Sequence, residues 1–263
     1  MTRHPEFQSE AASADQPPAA HRRRSDLSEF CVAYLLIALA VWTPKPWQQW
    51  LSLAALVWVL LSTWRSFDGW RPMGFRVSGF WRAAWVVPIV LALAGVGVAI
   101  ATHLKTLHAP HTPAQFFARY WSYTIWSFLQ EFLLLNFFLL RLLRLISSRS
   151  LATLVAAVLF TLVHLPNPIL APLTLLWGYA ACLIFLRYRN LYIPAICHAI
   201  FGICVAITVP GPVDHNMRVG LGYLTYREHR ASHQRSQIDH TVSTMAWVMA
   251  EAPTRRSARQ ARP

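Results

Sequence analysis

The chain has 263 residues, of which 55% are hydrophobic and only 13% charged, and its mean hydropathy is +0.35. An average soluble domain is about 25% charged, so this composition excludes an ordinary water-soluble enzyme and favours an integral membrane protein. The net charge of +13 does not indicate nucleic-acid binding, because the basic residues lie between apolar runs rather than along one helix face.

Seven apolar runs, almost free of charge, follow one another along the chain. They fall near residues 30–43, 50–64, 83–102, 117–140, 151–165, 170–186 and 191–209. A tilted helix needs about 17–25 apolar residues to cross a bilayer, and these runs reach or approach that length. The sequence therefore predicts an all-α, polytopic helical bundle with about seven transmembrane helices.

Basic residues alternate between the loops that join these runs. The N-terminal tail and the second, fourth and sixth loops carry thirteen basic residues, whereas the other loops carry Lys45, Lys105 and Arg119. Positively charged loops of membrane proteins face the cytoplasm. We therefore expect the N-terminus to lie in the cytoplasm. We also expect an integral protein of a bacterial inner membrane, whose partner is the lipid bilayer and which does not bind nucleic acid.

The two ends of the chain differ from its apolar centre. Residues 1–28 form a polar, basic tail that is too long and too acidic for a cleavable signal peptide, so the first apolar run is expected to remain as an anchor. Residues 29–110 are expected to form the N-terminal transmembrane helices, and residues 111–212 a helical core. Residues 213–263 contain eight arginines and few large apolar side chains, and this basic tail is predicted to be largely disordered.

Ionisable residues are scarce in the predicted core. Glu131 is the only acidic residue between positions 68 and 214, and His164 and His198 are the only histidines between positions 111 and 215. An ionisable side chain at the centre of a membrane helix costs about 2.5–3.5 kcal/mol on insertion scales, so such residues usually face the protein interior and have a function.

These three residues are predicted to lie at a similar depth. Counted from the basic residues at the helix ends, Glu131, His198 and His164 lie about 15, 13 and 22 Å from the cytoplasmic edge, at about 1.5 Å per residue. Helix tilt can close the larger gap at His164. Three titratable groups in one layer indicate a functional cluster, although His164 alone is equally typical of an interfacial residue or a helix cap.

Three short motifs contain these residues in order: Gln130-Glu131, Phe160-x-x-x-His164 and His198-x-x-x-Gly202. They resemble the Glu-Glu-x-x-x-Arg, Phe-x-x-x-His and His-x-x-x-Asn motifs of the CPBP family, also called the ABI family. This family includes the CAAX prenyl proteases and bacteriocin-processing membrane proteins. The resemblance covers roughly residues 117–209, about a third of the chain, and marks a divergent member.

The resemblance implies an intramembrane endopeptidase of the glutamate type, with residues 111–212 as its catalytic core and membrane-associated peptides or proteins as its substrates. By that resemblance Glu131 and His164 activate a water molecule, His198 stabilises the oxyanion, and no cofactor is needed. In an alternative interpretation the same three residues bind a divalent metal such as zinc, because two histidines and a carboxylate form a common metal-binding set.

This chain departs from the family motifs at three positions. Gln130 replaces the first Glu, Leu135 the Arg and Gly202 the Asn. Asn136 and Asn167 are candidates to replace the lost donor. However, Asn136 lies about 140° round an α-helix from Glu131, and an Asn between two prolines, like Asn167, is more typical of a turn.

These departures leave two other functions open. The chain can be a weakened or inactive family member that acts as an accessory or immunity-type membrane protein. It can also be a proton-coupled transporter, although the sequence shows no convincing pair of broken helices or inverted repeats. If the chain is a peptidase, Gly202→Asn is expected to speed it up by restoring a donor.

Overall fold

The computed structural model describes residues 19–67, 69–75 and 77–226, and within them the regular structure is entirely helical. The predicted all-α fold is confirmed. In chain order the elements are α1 Ala19–Trp42, α2 Trp47–Arg65, α3 Val77–Ala83, α4 Val86–His103, α5 Pro113–Glu131, a π-helical segment Phe132–Leu139, α6 Leu140–Leu145, α7 Arg149–Leu162, α8 Leu170–Tyr188, α9 Tyr192–Thr208, α10 Gly211–Asp214 and α11 Gly220–Leu224.

Local sequence signals explain where the two helices before the candidate residues begin. At α5 the Thr112 side chain accepts a hydrogen bond from the Gln115 amide, and Pro113 occupies the first helical turn. At α7 the side chain of Ser148 accepts from the Leu151 amide. Serine and threonine caps satisfy backbone amides that have no partner within the helix. Proline is tolerated in the first helical turn because it has no amide hydrogen that would need a partner.

In the described part of the chain, seven long helical units correspond to the seven apolar runs. They are α1, α2, α4, the continuous rod of α5, the π segment and α6, then α7, α8 and α9. Among the described helices, Arg23–Trp42, Val86–His103 and Leu170–Tyr188 are long and apolar enough to cross a membrane by length and composition. The apolar helices Arg149–Leu162 and Tyr192–Thr208 are shorter. The architecture is that of a helical membrane bundle.

The outward-facing side chains fit a lipid environment. Leu91, Leu93 and Val96 of α4 are each more than half exposed, and a soluble protein rarely leaves so contiguous an apolar surface in water. Trp47 and Trp64, at the two ends of α2, are 66% and 84% exposed. They are separated by about 26 Å along the helix, close to the roughly 30 Å hydrocarbon thickness whose two borders tryptophan prefers.

Contacts between distant segments define two ends of the bundle. At the arginine-rich end, the start of α1 meets α6, because Arg144 Nη2 lies 2.6 Å from Asp26 Oδ1. At the opposite end, the Gly220 amide donates to the Leu165 carbonyl at 2.8 Å. The start of α1 and the end of the α5–α6 rod therefore lie at one end of the bundle, and the loop after α7 lies against the start of α11. The cytoplasmic placement of the N-terminus stays a prediction.

The ordered structure extends beyond the core into both predicted tails. Helix α1 begins at Ala19 rather than near residue 29, and residues 211–226 include α10 and α11. Gly220 has φ +54° and packs so closely on α1 that a Cβ there would overlap Val41. The first part of the C-terminal tail is therefore folded, whereas the division of the chain at residue 213 stays a prediction. The rest of both predicted tails, residues 1–18 and 227–263, lies outside the described residues.

Candidate functional site

Glu131 is the last residue of α5 and is completely buried, with 0% of its surface exposed. Its Oε1 accepts hydrogen bonds from Trp177 Nε1 at 2.7 Å and from His198 Nδ1 at 2.8 Å. Within the part of the chain that the structure describes, its Oε2 is buried without any hydrogen-bond partner. Buried polar atoms normally have partners, so one half of this carboxylate is anchored and the other half is free to accept.

The helix widens directly after Glu131. Residues Phe132–Leu139 form a π-helix, in which each amide bonds to the carbonyl five residues earlier, and every residue from Leu134 to Leu139 is buried. Such widened turns are rare and often occur at functional sites. The apolar sequence Phe-Leu-Leu-Leu-Asn-Phe-Phe-Leu contains no signal that would distinguish it from an ordinary α-helix.

His198 lies in the first half of α9 and connects Glu131 to a cavity. Because a carboxylate oxygen accepts, His198 Nδ1 donates to it, which leaves Nε2 as the remaining polar atom of the ring. The ring of Phe160 packs edge-on against both histidines, with centroid distances of 5.9 Å to His198 and 4.8 Å to His164. Apolar contact on this side fixes the two imidazoles relative to each other.

His164 follows the end of α7, and its tautomer is set by a backbone contact. Its Nδ1 lies 2.6 Å from the Phe160 carbonyl oxygen, which only accepts, so Nδ1 carries the hydrogen and Nε2 of the neutral ring is an acceptor. Gln130 Nε2 lies 3.5 Å from this His164 Nε2. The side-chain amide of Gln130 therefore donates to the unprotonated Nε2 of His164.

These side chains stand in the wall of a cavity of about 1230 Å³. The wall is mostly apolar, and Gln130, His164 and His198 contribute polar groups to it, whereas Glu131 lies behind it. Pockets of this kind, apolar with a few converging polar groups, are typical ligand and substrate sites. The structure thus brings His164 and His198 to one cavity wall, with Glu131 bonded to His198 behind it.

The two candidate asparagines have different positions. Asn136 is buried in the π segment, and neither atom of its amide has a hydrogen-bond partner among the described residues. Asn167 is fully buried, and its Nδ2 donates to the carbonyls of Asp214 and Arg218 at 2.7 and 3.0 Å. Both hydrogens of the Asn167 amide are therefore used by these two carbonyls, so this residue does not donate into the cavity.

The structure explains the loss of Arg at position 135. Leu135 has no exposed surface and belongs to an apolar cluster with Leu134, Ala156 and Ala181. A guanidinium there would be buried among aliphatic side chains, at a high desolvation cost.

Sequence reasoning missed two residues of the site, Trp177 and Tyr123. Trp177 holds Glu131, and a tryptophan in an apolar helix is a usable signal because its indole N–H seeks a partner when buried. Tyr123 lines the cavity and lies against Gly202. It precedes Gln130 by seven residues, two helical turns, and so shares a face of α5 with it.

Metal binding by the trio stays a prediction. Within the described ranges, no group of three or more His, Cys, Asp and Glu side chains is arranged to hold a metal ion. Glu131 Oε1 accepts two N–H groups, and His198 Nδ1, which donates one of them, has no lone pair for a metal.

Comparison with known proteins gives one match. Residues 112–204 match the family model described as type II CAAX prenyl endopeptidase Rce1-like. The matched segment starts at the cap of α5 and ends within α9, so it contains Glu131, His164 and His198. No curated protein matches the chain, and no solved structure matches it.

Proposed function

We propose that the chain is a member of the CPBP family of CAAX-type intramembrane proteases, which the match over residues 112–204 supports, and that it hydrolyses peptide bonds of membrane-associated proteins or peptides with Glu131, His164 and His198. The observation that carries this proposal is the free Glu131 Oε2 beside an imidazole held at the wall of a large apolar cavity. A purely structural ion pair would have both carboxylate oxygens satisfied.

Water activation is assigned to Glu131 Oε2, which has no partner among the described residues, and to His164 Nε2, from which a water displaces the long 3.5 Å contact of the Gln130 amide. A water molecule between them loses a proton as its oxygen attacks the peptide carbonyl carbon. The same proton is then delivered to the amine nitrogen as the C–N bond breaks. General-base catalysis of this kind contributes about 10²–10⁴-fold in rate.

His198 is assigned to the carbonyl oxygen. Its Nδ1 is held by Glu131, and a carboxylate in that place orients an imidazole and balances the charge of its protonated form. A proton on His198 Nε2 is then available to the oxyanion that forms during attack. No metal step is part of this scheme, and treatment with a chelator tests it.

A cleavage assay with histidine variants tests the proposal. Purified protein in detergent is incubated with a fluorogenic membrane peptide, and His164→Ala and His198→Ala are compared with His103→Ala, whose side chain is exposed at the end of α4. We expect the first two variants to lose at least about 10²-fold in kcat and the control to match the wild type. Equal cleavage by His198→Ala and the wild type would refute the assignment.

A second candidate, a family member without turnover, is favoured by one observation. Glu131 is fully buried and does not line the cavity, so the carboxylate is not directly accessible. In that case the protein binds membrane peptides but releases them uncut, and His198→Ala leaves that binding unchanged. Mass spectrometry of peptides incubated with the wild type separates the two candidates.

A further inference from the structure

The turn of α9 that follows His198 has an unusual neighbour. Gly202 lies four residues after His198, one helical turn along the same face, so a side chain there would project beside the imidazole. A Cβ built on Gly202 would overlap the Oη and Cζ atoms of Tyr123 and lie 2.6 Å from its Cε1. The phenol of Tyr123 therefore occupies the space beside His198 that a residue at position 202 would otherwise fill.

Tyr123 reaches this place from a different helix. It lies on α5, is half-buried and lines the cavity together with Gln130, His198 and Gly202. Ser127, one turn further along α5, donates its hydroxyl hydrogen to the Tyr123 carbonyl at 3.0 Å. A charged acceptor in the cavity would bind the phenol hydrogen strongly, because charge-assisted hydrogen bonds are the stronger ones.

We propose that Tyr123 is a further catalytic residue, whose phenolic O–H donates to the oxyanion together with His198 Nε2. This inference rests on the proposed peptidase function. A tetrahedral oxyanion is stabilised by donors that are already aimed at it, and tyrosine is among the side chains that serve in this way. In this arrangement α9 needs a glycine at position 202 because α5 supplies the donor.

The close packing changes what is expected of Gly202→Asn. The new side chain would collide with the Tyr123 ring, so the single substitution is expected to slow cleavage instead of speeding it up. Removing the phenol first frees the space, and an Asn amide at 202 then returns a donor to the same turn. Tyr123→Ala/Gly202→Asn is therefore expected to cleave at least about tenfold faster than Tyr123→Ala, since one oxyanion donor is worth about 10²–10³-fold.

The decisive experiment removes only the hydroxyl. Tyr123→Phe keeps the ring that packs on Gly202, and we expect kcat to fall about 10²-fold with KM within about twofold of the wild type. The matched control is Tyr120→Phe, a buried tyrosine of α5 that does not line the cavity, for which kcat is expected to stay unchanged. Thermal unfolding in detergent verifies that both variants are folded.

The outcomes separate this inference from the function on which it rests. If His198→Ala is inactive while Tyr123→Phe retains the wild-type kcat, the peptidase stands and Tyr123 is not catalytic. A Tyr123→Phe variant with raised KM and unchanged kcat shows that the phenol only binds substrate, which also overturns the inference. If His198→Ala cleaves like the wild type, the proposed function fails and the role of Tyr123 fails with it.

Discussion

Two buried ionic clusters lie on the same helical rod, and they differ in how completely they are satisfied. At the arginine-rich end, Arg141 is 2% exposed and donates to Glu29 at 2.7 Å, to Ser66 and to the Phe137 carbonyl. Within the described residues, only the Nε of its guanidinium lacks a partner. Ten residues earlier, Glu131 keeps a whole oxygen unpaired behind the wall of a large cavity.

The difference shows that a buried charge does not by itself identify a functional site. Arg144 and Asp26 form two hydrogen bonds of 2.6 and 2.7 Å, and with Arg141 and Glu29 they join α1 to α6. Charge in that cluster is matched by opposite charge and has no access to the cavity. In the Glu131 cluster one carboxylate oxygen has no partner among the described residues, and His198, bonded to the other oxygen, lines the cavity.

The largest expected effect comes from Glu131→Gln. The amide oxygen can still accept from Trp177 and His198, so the fold should be kept, but the negative charge and its proton affinity are lost. We expect kcat to fall at least about 10³-fold, within the range for a lost general base, with an unfolding temperature close to that of the wild type. A fluorogenic cleavage assay measures kcat, and thermal unfolding measures the unfolding temperature. Substantial remaining activity would contradict a catalytic role for the Glu131 cluster.

The same substitution in the other cluster should have the opposite result. Glu29→Gln leaves the Arg141 guanidinium buried without its counter-charge, and removing one partner of a buried pair costs about 3–5 kcal/mol. We expect a marked drop in unfolding temperature and an unchanged kcat per folded molecule. The double variant Glu29→Gln/Arg141→Met, which removes both charges, should recover much of the stability. A loss of kcat in folded Glu29→Gln would mean that the two clusters are coupled.

Asn167 lies beside the site, but its substitution should affect stability rather than cleavage, as expected for the cluster of Arg141 and Glu29. Its oxygen accepts from the amides of Ile169 and Leu170, both at 3.0 Å, and its amide group ties residues 214–218 to the loop after His164. Asn167→Ala leaves several buried groups without partners, at about 1–3 kcal/mol for such a group. Thermal unfolding should register this loss. Cleavage by the folded fraction should stay within about threefold of the wild type, and a larger loss would assign Asn167 to the catalytic machinery.

Asp214 lies outside the membrane-spanning segments, and its substitution is expected to have a smaller effect on the unfolding temperature. Burial raises the pKa of this carboxyl above its usual value, so the folded state favours the protonated form. Its contribution to stability is complete below the ordinary pKa and is lost as the pH rises through the raised one. Asp214→Asn, which can still accept from the Asn216 amide as Oδ1 does at 2.9 Å, should unfold at a slightly higher temperature than the wild type at pH 7. The difference should vanish near pH 3, and a constant difference would exclude this cause.

Chelation is expected to have no effect. If Glu131, His164 and His198 work without a metal, overnight treatment with excess chelator leaves the cleavage rate within error of the untreated rate. A rate that falls and returns on addition of zinc would support the metal interpretation instead.

Much of this architecture could be predicted from the sequence because hydropathy and charge are local properties. The seven apolar runs, the alternating basic loops and a similar depth for Glu131, His164 and His198 are all predictions that residue counting makes. Residue counting also treats Arg141 as one of the thirteen basic residues of the tail and loops, because nothing in its neighbours indicates that Glu29, 112 residues earlier, pairs with it. The contact between Tyr123 and Gly202 likewise depends on how α5 packs against α9, which no local pattern reports.

The number of residues in the π segment, and not only their type, sets how the two clusters are oriented relative to each other. Glu131 and Arg141 sit on either side of Phe132–Leu139 in one uninterrupted rod, so the widened turn sets the angle between them. Deleting a single residue there would turn one cluster by about 100° relative to the other. Insertions and deletions that a connecting loop absorbs without harm would here misdirect either the carboxylate or the arginine, so the length of this stretch is itself under constraint.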